Sequence, residues 1–358
     1  MNIPKSILEK RGLQLHNNIQ HPLGIIKKTI YEYFNNLPDM YFETFDDFSP
    51  EVHIRDNFDL LLIPETHPSR SKSDTYYLDE SNVLRTHTSA HQNELLSKNL
   101  TSFLVTGDVY RKDEIDARHY PIFHQMEGVH LVSDEIDPEE ELKRVLGGLV
   151  EYLFPGKEYR FNNDYFPFTE PSFEIEVMFG DKWLEILGCG IIHPTILAHH
   201  GIKQRGWAFG LGLERFAMIL FNIPDIRLFW STDPKFMSQF IDGKIVVFQP
   251  FCKIDSKRKD ISFWIPENEV EIKENDFSWK KVNDFYEMVR EICGDTIESV
   301  VLLDHFFHTG KQKYSVTFKL QIGALKSSEK NDSEVTKHAN KCIDQIRNIL
   351  INDGYIVR

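Results

Sequence analysis

The segment Gly206-Trp207-Ala208-Phe209-Gly210-Leu211-Gly212-Leu213-Glu214-Arg215-Phe216 constrains the fold more than any other part of the chain. Its first half reads as a strand punctuated by glycines, and it continues as a helix that stops before Pro224. A strand running on into a helix points to a mixed α+β architecture. Gly206, Gly210 and Gly212 let the backbone approach either a flat ligand or a packed neighbour. The spacing is neither a P-loop nor a dinucleotide fingerprint. Arg215, at the start of the helix, suits a phosphate or a structural ion pair.

The rest of the first two thirds supplies the partners of that strand. Leu23, Ile26, Ile30 and Phe34 fall at helical spacing. Met40 to Pro64 fits loops and short strands around one helical stretch. Phe103 to Tyr110 and Ile122 to Val132 read as an antiparallel pair joined by the charged loop Arg111 to Arg118. Pro138 to Phe154 is a helix with acids in its first turn, ended by Pro155-Gly156. Ser172 to Phe179 and Trp183 to Leu187 form a hairpin across Gly180-Asp181.

After a break at 233–243 the pattern restarts. Strand 260–265, helix 282–292, strands 296–306 and 314–322, helix 339–350 and strand 355–357 follow in the order β-α-β-β-α-β. This is the split βαβ, or ferredoxin-like, arrangement. Two domains suit the 358 residues, on a prior of ~150 each. The 27 Phe, 13 Tyr and 5 Trp demand a core and exclude disorder. No apolar run approaches the ~20 residues of a membrane span.

The net charge of −14 argues against a broad nucleic-acid surface. From Lys244 onward, however, 18 basic and 18 acidic side chains balance, so nucleic-acid contacts would be local or favour that part. Lys253, Lys257, Arg258 and Lys259 are its basic spots. Cys189, Cys252, Cys293 and Cys342 lie far apart and read as reduced thiols in a reducing compartment. No secretory signal is visible, which leaves open a targeting segment already removed.

Several constellations could carry chemistry. Gln125 and Glu127, two apart on a strand, share a face, and Arg111 ends the neighbouring strand towards the same region. A guanidinium there would hold a carboxylate or phosphate, while the amide and acid take an ammonium; a solvated face with an Arg–Glu pair is the plainer alternative. Arg85 to Gln92 is dense in hydroxyl, imidazole and amide groups, and either caps a helix through Ser89 or Thr88 or lines a polar pocket. His87 and His91 have no further ligands at zinc spacing. Glu185 is either an exposed strand residue or a carboxylate for a magnesium-bound phosphate. Tyr165-Phe166-Pro167-Phe168 is either core or pocket wall. No spacing supports serine, cysteine or paired-acid catalysis.

In order, these segments resemble the class II aminoacyl-tRNA synthetases, and within them the monomeric organellar type of phenylalanyl-tRNA synthetase. Pro50 matches the motif 1 proline, Gly107 to Arg111 with Phe123 to Gly128 matches motif 2, and Gly206 to Phe216 matches motif 3. The C-terminal module, through Arg358, resembles the ferredoxin-like anticodon-binding domain. The resemblance implies an α+β class II core: an antiparallel sheet flanked by helices over 1–232, a linker at 233–243, and the anticodon-binding domain over 244–358. It implies ATP-dependent activation of L-phenylalanine and transfer to tRNA(Phe), with Mg²⁺ accompanying ATP and no zinc or organic cofactor.

By motif match, Arg111 and Arg215 are the catalytic arginines, on the α-phosphate and carboxylate and on the γ-phosphate. His87, Ser89, Gln125 and Glu127 form the ammonium end of the amino-acid pocket, and Phe166, Phe168 and Ala208 its aromatic end. Ala90, His91, Gln92, Arg118, His119, Tyr120, Phe123, Met126 and Phe209 fall in the ATP site, with adenine between Phe123 and Phe209. Glu185 is the magnesium ligand. The resemblance further implies a monomer with no companion subunit, no editing domain and no membrane. It favours a mitochondrial or other organellar matrix, or the cytoplasm for a bacterial source. A non-catalytic paralogue and a tRNA-independent amino-acid activator are the rivals; the two arginines stand against the first and the C-terminal module against the second.

Overall fold

The computed structural model describes residues 2–251, 254–273, 276–324 and 331–358. Cys252 and Lys253 lie outside the described residues. Helix α1 (Pro22–Asn35) begins with proline at its first turn and with the His21 ring accepting from the Leu23 amide. Leu23, Ile26, Ile30 and Phe34 are fully buried, as their spacing requires.

Seven strands make the main sheet: β1 (Glu43–Phe45), β2 (Ser102–Tyr110), β3 (Ile122–Leu131), β4 (Tyr159–Phe166), β5 (Thr169–Phe179), β6 (Lys182–Ile192) and β7 (Gly206–Gly212). Their spatial order is β1-β2-β3-β7-β6-β5-β4. The β1–β2 pair is parallel and the others antiparallel. Helices α2 (Pro138–Leu153) and α3 (Leu213–Leu220) complete the unit, α2 capped by the Asp137 carboxylate. Strand β4 was not expected: it is an edge strand, and its burial pattern lacks the apolar alternation by which strands are read. Met126, Trp207, Phe209 and Leu211 enter the large core on the helical side of the sheet, whereas Val129 and Ala208 join a smaller core on the other.

Arg85 pins these layers. Its guanidinium reaches the Asp108 carbonyl (2.7 Å) and carboxylate (2.9 Å) and the His91 Nε2 (2.8 Å). Gly107 makes room for it, since a Cβ there would lie 2.0 Å from the arginine.

The second unit has a four-stranded sheet in the order β11-β12-β8-β13, built from β8 (Lys257–Pro266), β11 (Ile297–His308), β12 (Lys313–Ile322) and β13 (Ile356–Val357). Helices α4 (Val282–Cys293) and α5 (Asp332–Asn352) alternate with the strands as expected from the sequence. A hairpin of β9 (Val270–Lys273) and β10 (Asp276–Trp279) is inserted before α4. Val316, Phe318, Leu320 and Ile322 of β12 supply one face of a separate core.

Two findings alter the expected organisation. The stretch 233–243 is no free linker: Phe236 and Phe240, one helical turn apart, are buried in the first core with Phe248. The loop after β2 crosses to the second unit. Ile115 joins that core and accepts from the Val300 amide at 3.0 Å, Tyr120 Oη donates to Asp295 at 2.6 Å, and Arg290 donates to the Asp113 and Glu114 carbonyls.

Candidate active site

The large cleft has a volume of about 560 Å³ and lies over the face of the sheet that carries Gln125, Glu127, Ala208 and Gly210. Strand periodicity puts these side chains together: β3 and β7 pair with Glu127 opposite Gly210 and Gln125 opposite Gly212. A Cβ on Gly210 would meet nothing within 4 Å, so its missing side chain is space in the cleft. Across the seam, Gly188 pairs with Gly210, and a Cβ on Gly188 would sit 2.8 Å from the Phe166 ring. Phe166 and Phe168 stack at 5.8 Å to form the aromatic wall. Thr86, His87, Ser89 and Gln92 line the opposite side, and the Thr88 amide orients Gln125 through its Oε1 at 3.3 Å.

The electrostatics of the cleft are unbalanced. Both carboxylate oxygens of Glu127 are buried without a hydrogen-bond partner. Burial pushes the carboxyl up to about 8, against a smaller downward pull from the Ser89 hydroxyl. Both nitrogens of His87 are likewise buried and unpartnered, and burial, then the charge of Arg111, lowers its value to about 3. Arg111 spends its Nε on the Thr86 carbonyl at 2.7 Å and lies over the Phe123 ring at 5.3 Å. Its terminal nitrogens have no hydrogen-bond partner among the described residues. Buried polar groups are ordinarily satisfied, so this set is built for a ligand that brings a cation to Glu127 and oxygens to Arg111.

Arg215 reaches the cleft through Glu185: it donates to the Glu185 carbonyl at 2.7 Å and stands 3.5 Å from its carboxylate, both side chains about half exposed. Glu214, to which the sequence reading assigned no role, fixes this corner. Buried, it accepts from the His124 amide (2.8 Å) and bonds the His124 ring (2.7 Å), tying β3 to the start of α3. Glu174 was also missed; its carboxyl is raised by partial burial, with the Glu185 charge adding to the effect. Hard oxygen donors on Glu185, and Glu174 beside it, suit a divalent cation that arrives on phosphate oxygens.

The structure therefore gathers Arg111, His87, Ser89, Gln92, Gln125, Glu127, Phe166, Phe168, Glu185 and Ala208 around one cleft. Other expected site residues stand elsewhere. Phe209 borders the cleft, but its ring turns to the helical side and stacks on Phe34 at 5.3 Å, so the ring does not sandwich an adenine with Phe123. Met126 is buried on that same side, and Ala90 packs with Val52 and Val83. His91 is spent on Arg85 and stacked on Phe48 at 4.5 Å. Tyr120 and His119 face the junction between the two units, and the Arg118 amide bonds Asp116, because the loop is held by the second core.

A family profile described as tRNA synthetases class II core domain (F) matches residues 9–240. The chain is 48% identical over 349 residues to the chloroplastic/mitochondrial phenylalanine–tRNA ligase of Arabidopsis thaliana, spanning 92% of this chain and 78% of that protein. It is 42% identical to the mitochondrial phenylalanine–tRNA ligase of Dictyostelium discoideum, over 92% of this chain and 84% of the relative. The chain belongs to the class II phenylalanine–tRNA ligase family. A phenylalanine–tRNA ligase alpha subunit from Prochlorococcus marinus is 43% identical but aligns with 51% of this synthetase.

Proposed function

We infer that this protein is a phenylalanine–tRNA ligase, which joins L-phenylalanine to ATP as phenylalanyl-adenylate and then passes it to the terminal adenosine of tRNA(Phe). The observation that carries the reading is Glu127, a buried carboxylate with no partner, in the same cleft as an arginine whose terminal nitrogens are unpaired. Together they offer an ammonium site and an oxyanion site in one cleft. Glu127, Gln125, Ser89 and His87 hold the ammonium end. Phe166 and Phe168 meet the ring of the substrate, and Ala208 closes its far end. A phenol hydroxyl would have to be desolvated there without a partner, which disfavours tyrosine.

In the first step the phenylalanine carboxylate attacks the α-phosphorus of ATP and diphosphate leaves. Arg111 orients the carboxylate and stabilises charge at the α-phosphate; Arg215 serves the outer phosphates. Mg²⁺ brought by ATP would offset phosphate charge, with Glu185 as its protein ligand. Gln92, which lines the cleft, and Phe123, whose ring lies 5.3 Å from the Arg111 guanidinium, would serve ATP. No protein nucleophile is required. In the second step a ribose hydroxyl of the terminal adenosine attacks the mixed anhydride and AMP leaves. The second unit, from Lys257 onward, would read the anticodon stem, while residues 1–232 with the packed segment after them form the catalytic unit. On this reading the enzyme acts as a single chain without a companion subunit and works in an organelle matrix; the relatives' names specify mitochondria or chloroplasts. Arg111→Ala should lower phenylalanine-dependent ATP–pyrophosphate exchange by at least ~100-fold; exchange at the unaltered rate in a folded variant would sink the assignment.

A further inference from the structure

Tyr165 stands at the lip of the cleft, and nothing above uses it. It lines the opening yet is 78% exposed, whereas its neighbours Phe166 and Phe168 are half-buried inside. Exposed aromatic rings on mobile loops are common, but this one is held. The β4–β5 ladder shifts register here, from Asp164 opposite Ser172 to Phe166 opposite Thr169, leaving Tyr165 with no partner across the strands. Such irregularities re-aim a side chain. The Tyr165 amide is fixed by Asp164 Oδ1 at 2.7 Å, and the Phe166 amide donates to Ser172 Oγ at 3.1 Å. Ser172 is in turn bonded to the Thr169 carbonyl and hydroxyl at 2.8 and 2.7 Å, both side chains buried. Among the described residues the Tyr165 ring stacks on no other ring and its hydroxyl has no hydrogen-bond partner. A rigid turn thus presents a bare ring to solvent beside the aromatic wall of the amino-acid pocket.

An aromatic serving the amino acid would be buried against it, as Phe166 and Phe168 are. A ring left outside that wall is positioned for what arrives last, after the cleft has filled. If the cleft works as proposed above, on which this inference rests, the late arrival is the 3′ end of an RNA. A single-stranded end presents an unpaired base with an open π-face, and stacking on an aromatic side chain is how such ends are commonly held.

We propose that Tyr165 is the stacking platform for the terminal nucleobase of the RNA acceptor and serves the transfer step. The test measures two half-reactions on the full chain carrying Tyr165→Ala, Tyr165→Phe or Tyr165→Trp. One is phenylalanine-driven ATP–pyrophosphate exchange. The other is single-turnover transfer from preformed phenylalanyl-adenylate to a tRNA(Phe) transcript. Removing one base–aromatic stack predicts that the ratio of transfer to exchange falls about tenfold or more in Tyr165→Ala. Phe and Trp should restore it, because both keep an aromatic face, Phe losing only the hydroxyl and Trp offering a larger ring. A parallel fall in both half-reactions would overturn the proposal by placing the ring in the activation step, and an unchanged ratio would overturn it equally. Absence of phenylalanine-driven exchange in the unaltered protein would instead overturn the reading of the cleft.

Discussion

A buried carboxylate with two unpartnered oxygens stays protonated until a cation reaches it, and Glu127 with a value of about 8 is in that condition at neutral pH. Because its folded value lies above the ordinary 4.5, its contribution to stability is full below 4.5 and is lost as pH rises through 8. An ammonium group favours the ionised form, so phenylalanine binding at pH 7 should release close to one proton per site. Calorimetric titration in two buffers of different ionisation enthalpy reads this directly. A buffer-independent heat would contradict it, and Glu127→Gln should abolish the release. The sharing of one face by Gln125 and Glu127 was legible in the sequence, since residues two apart on a strand point the same way. The same rule excludes neighbours from sharing it. The side chains of Phe209 and Met126 accordingly pack in the core on the helical side, while those of Ala208 and Gln125 line the cleft.

At the scale of elements, glycine does different work in different strands. The Cβ of an alanine at Gly188 would press on the Phe166 ring, whereas at Gly210 it would point into empty cleft. Gly210→Val should therefore fold with a thermal midpoint near that of the unaltered protein, a β-branched residue being at home in a strand. It should nonetheless lose exchange by ~100-fold or more by displacing the bound amino acid and ATP. Loss of folding, or retained activity, would contradict that placement. The strand-to-helix passage at 206–220 was readable because its period changes within one segment. Edge strand β4 was not, since a strand exposed along most of its length carries no periodic apolar signal. The loop after β2 was unreadable for another reason: charged and short of apolar residues, it takes its path from Ile115 and from partners more than 150 residues away, such as Arg290 and Val300.

Across the whole molecule those long-range contacts join the two units. Glu287 accepts from Tyr76 Oη at 2.9 Å and from Arg290 at 2.7 Å, and Arg290 in turn holds the loop carbonyls. Removing Arg290 leaves a buried acid short of its cation, so Arg290→Ala should destabilise the protein by on the order of 3 kcal/mol. Urea unfolding measures the loss, and faster hydrogen exchange over residues 111–119 should accompany it; an unchanged midpoint would show that the junction contributes little. No helix among the described residues is long and apolar enough to cross a membrane. The central claim is that the cleft activates one amino acid by positioning it against ATP. ATP–pyrophosphate exchange with each of the twenty amino acids, without tRNA, tests this most directly. The account predicts strong exchange with phenylalanine and feeble exchange with tyrosine. Exchange driven chiefly by another amino acid, or none from well-folded protein, would contradict it.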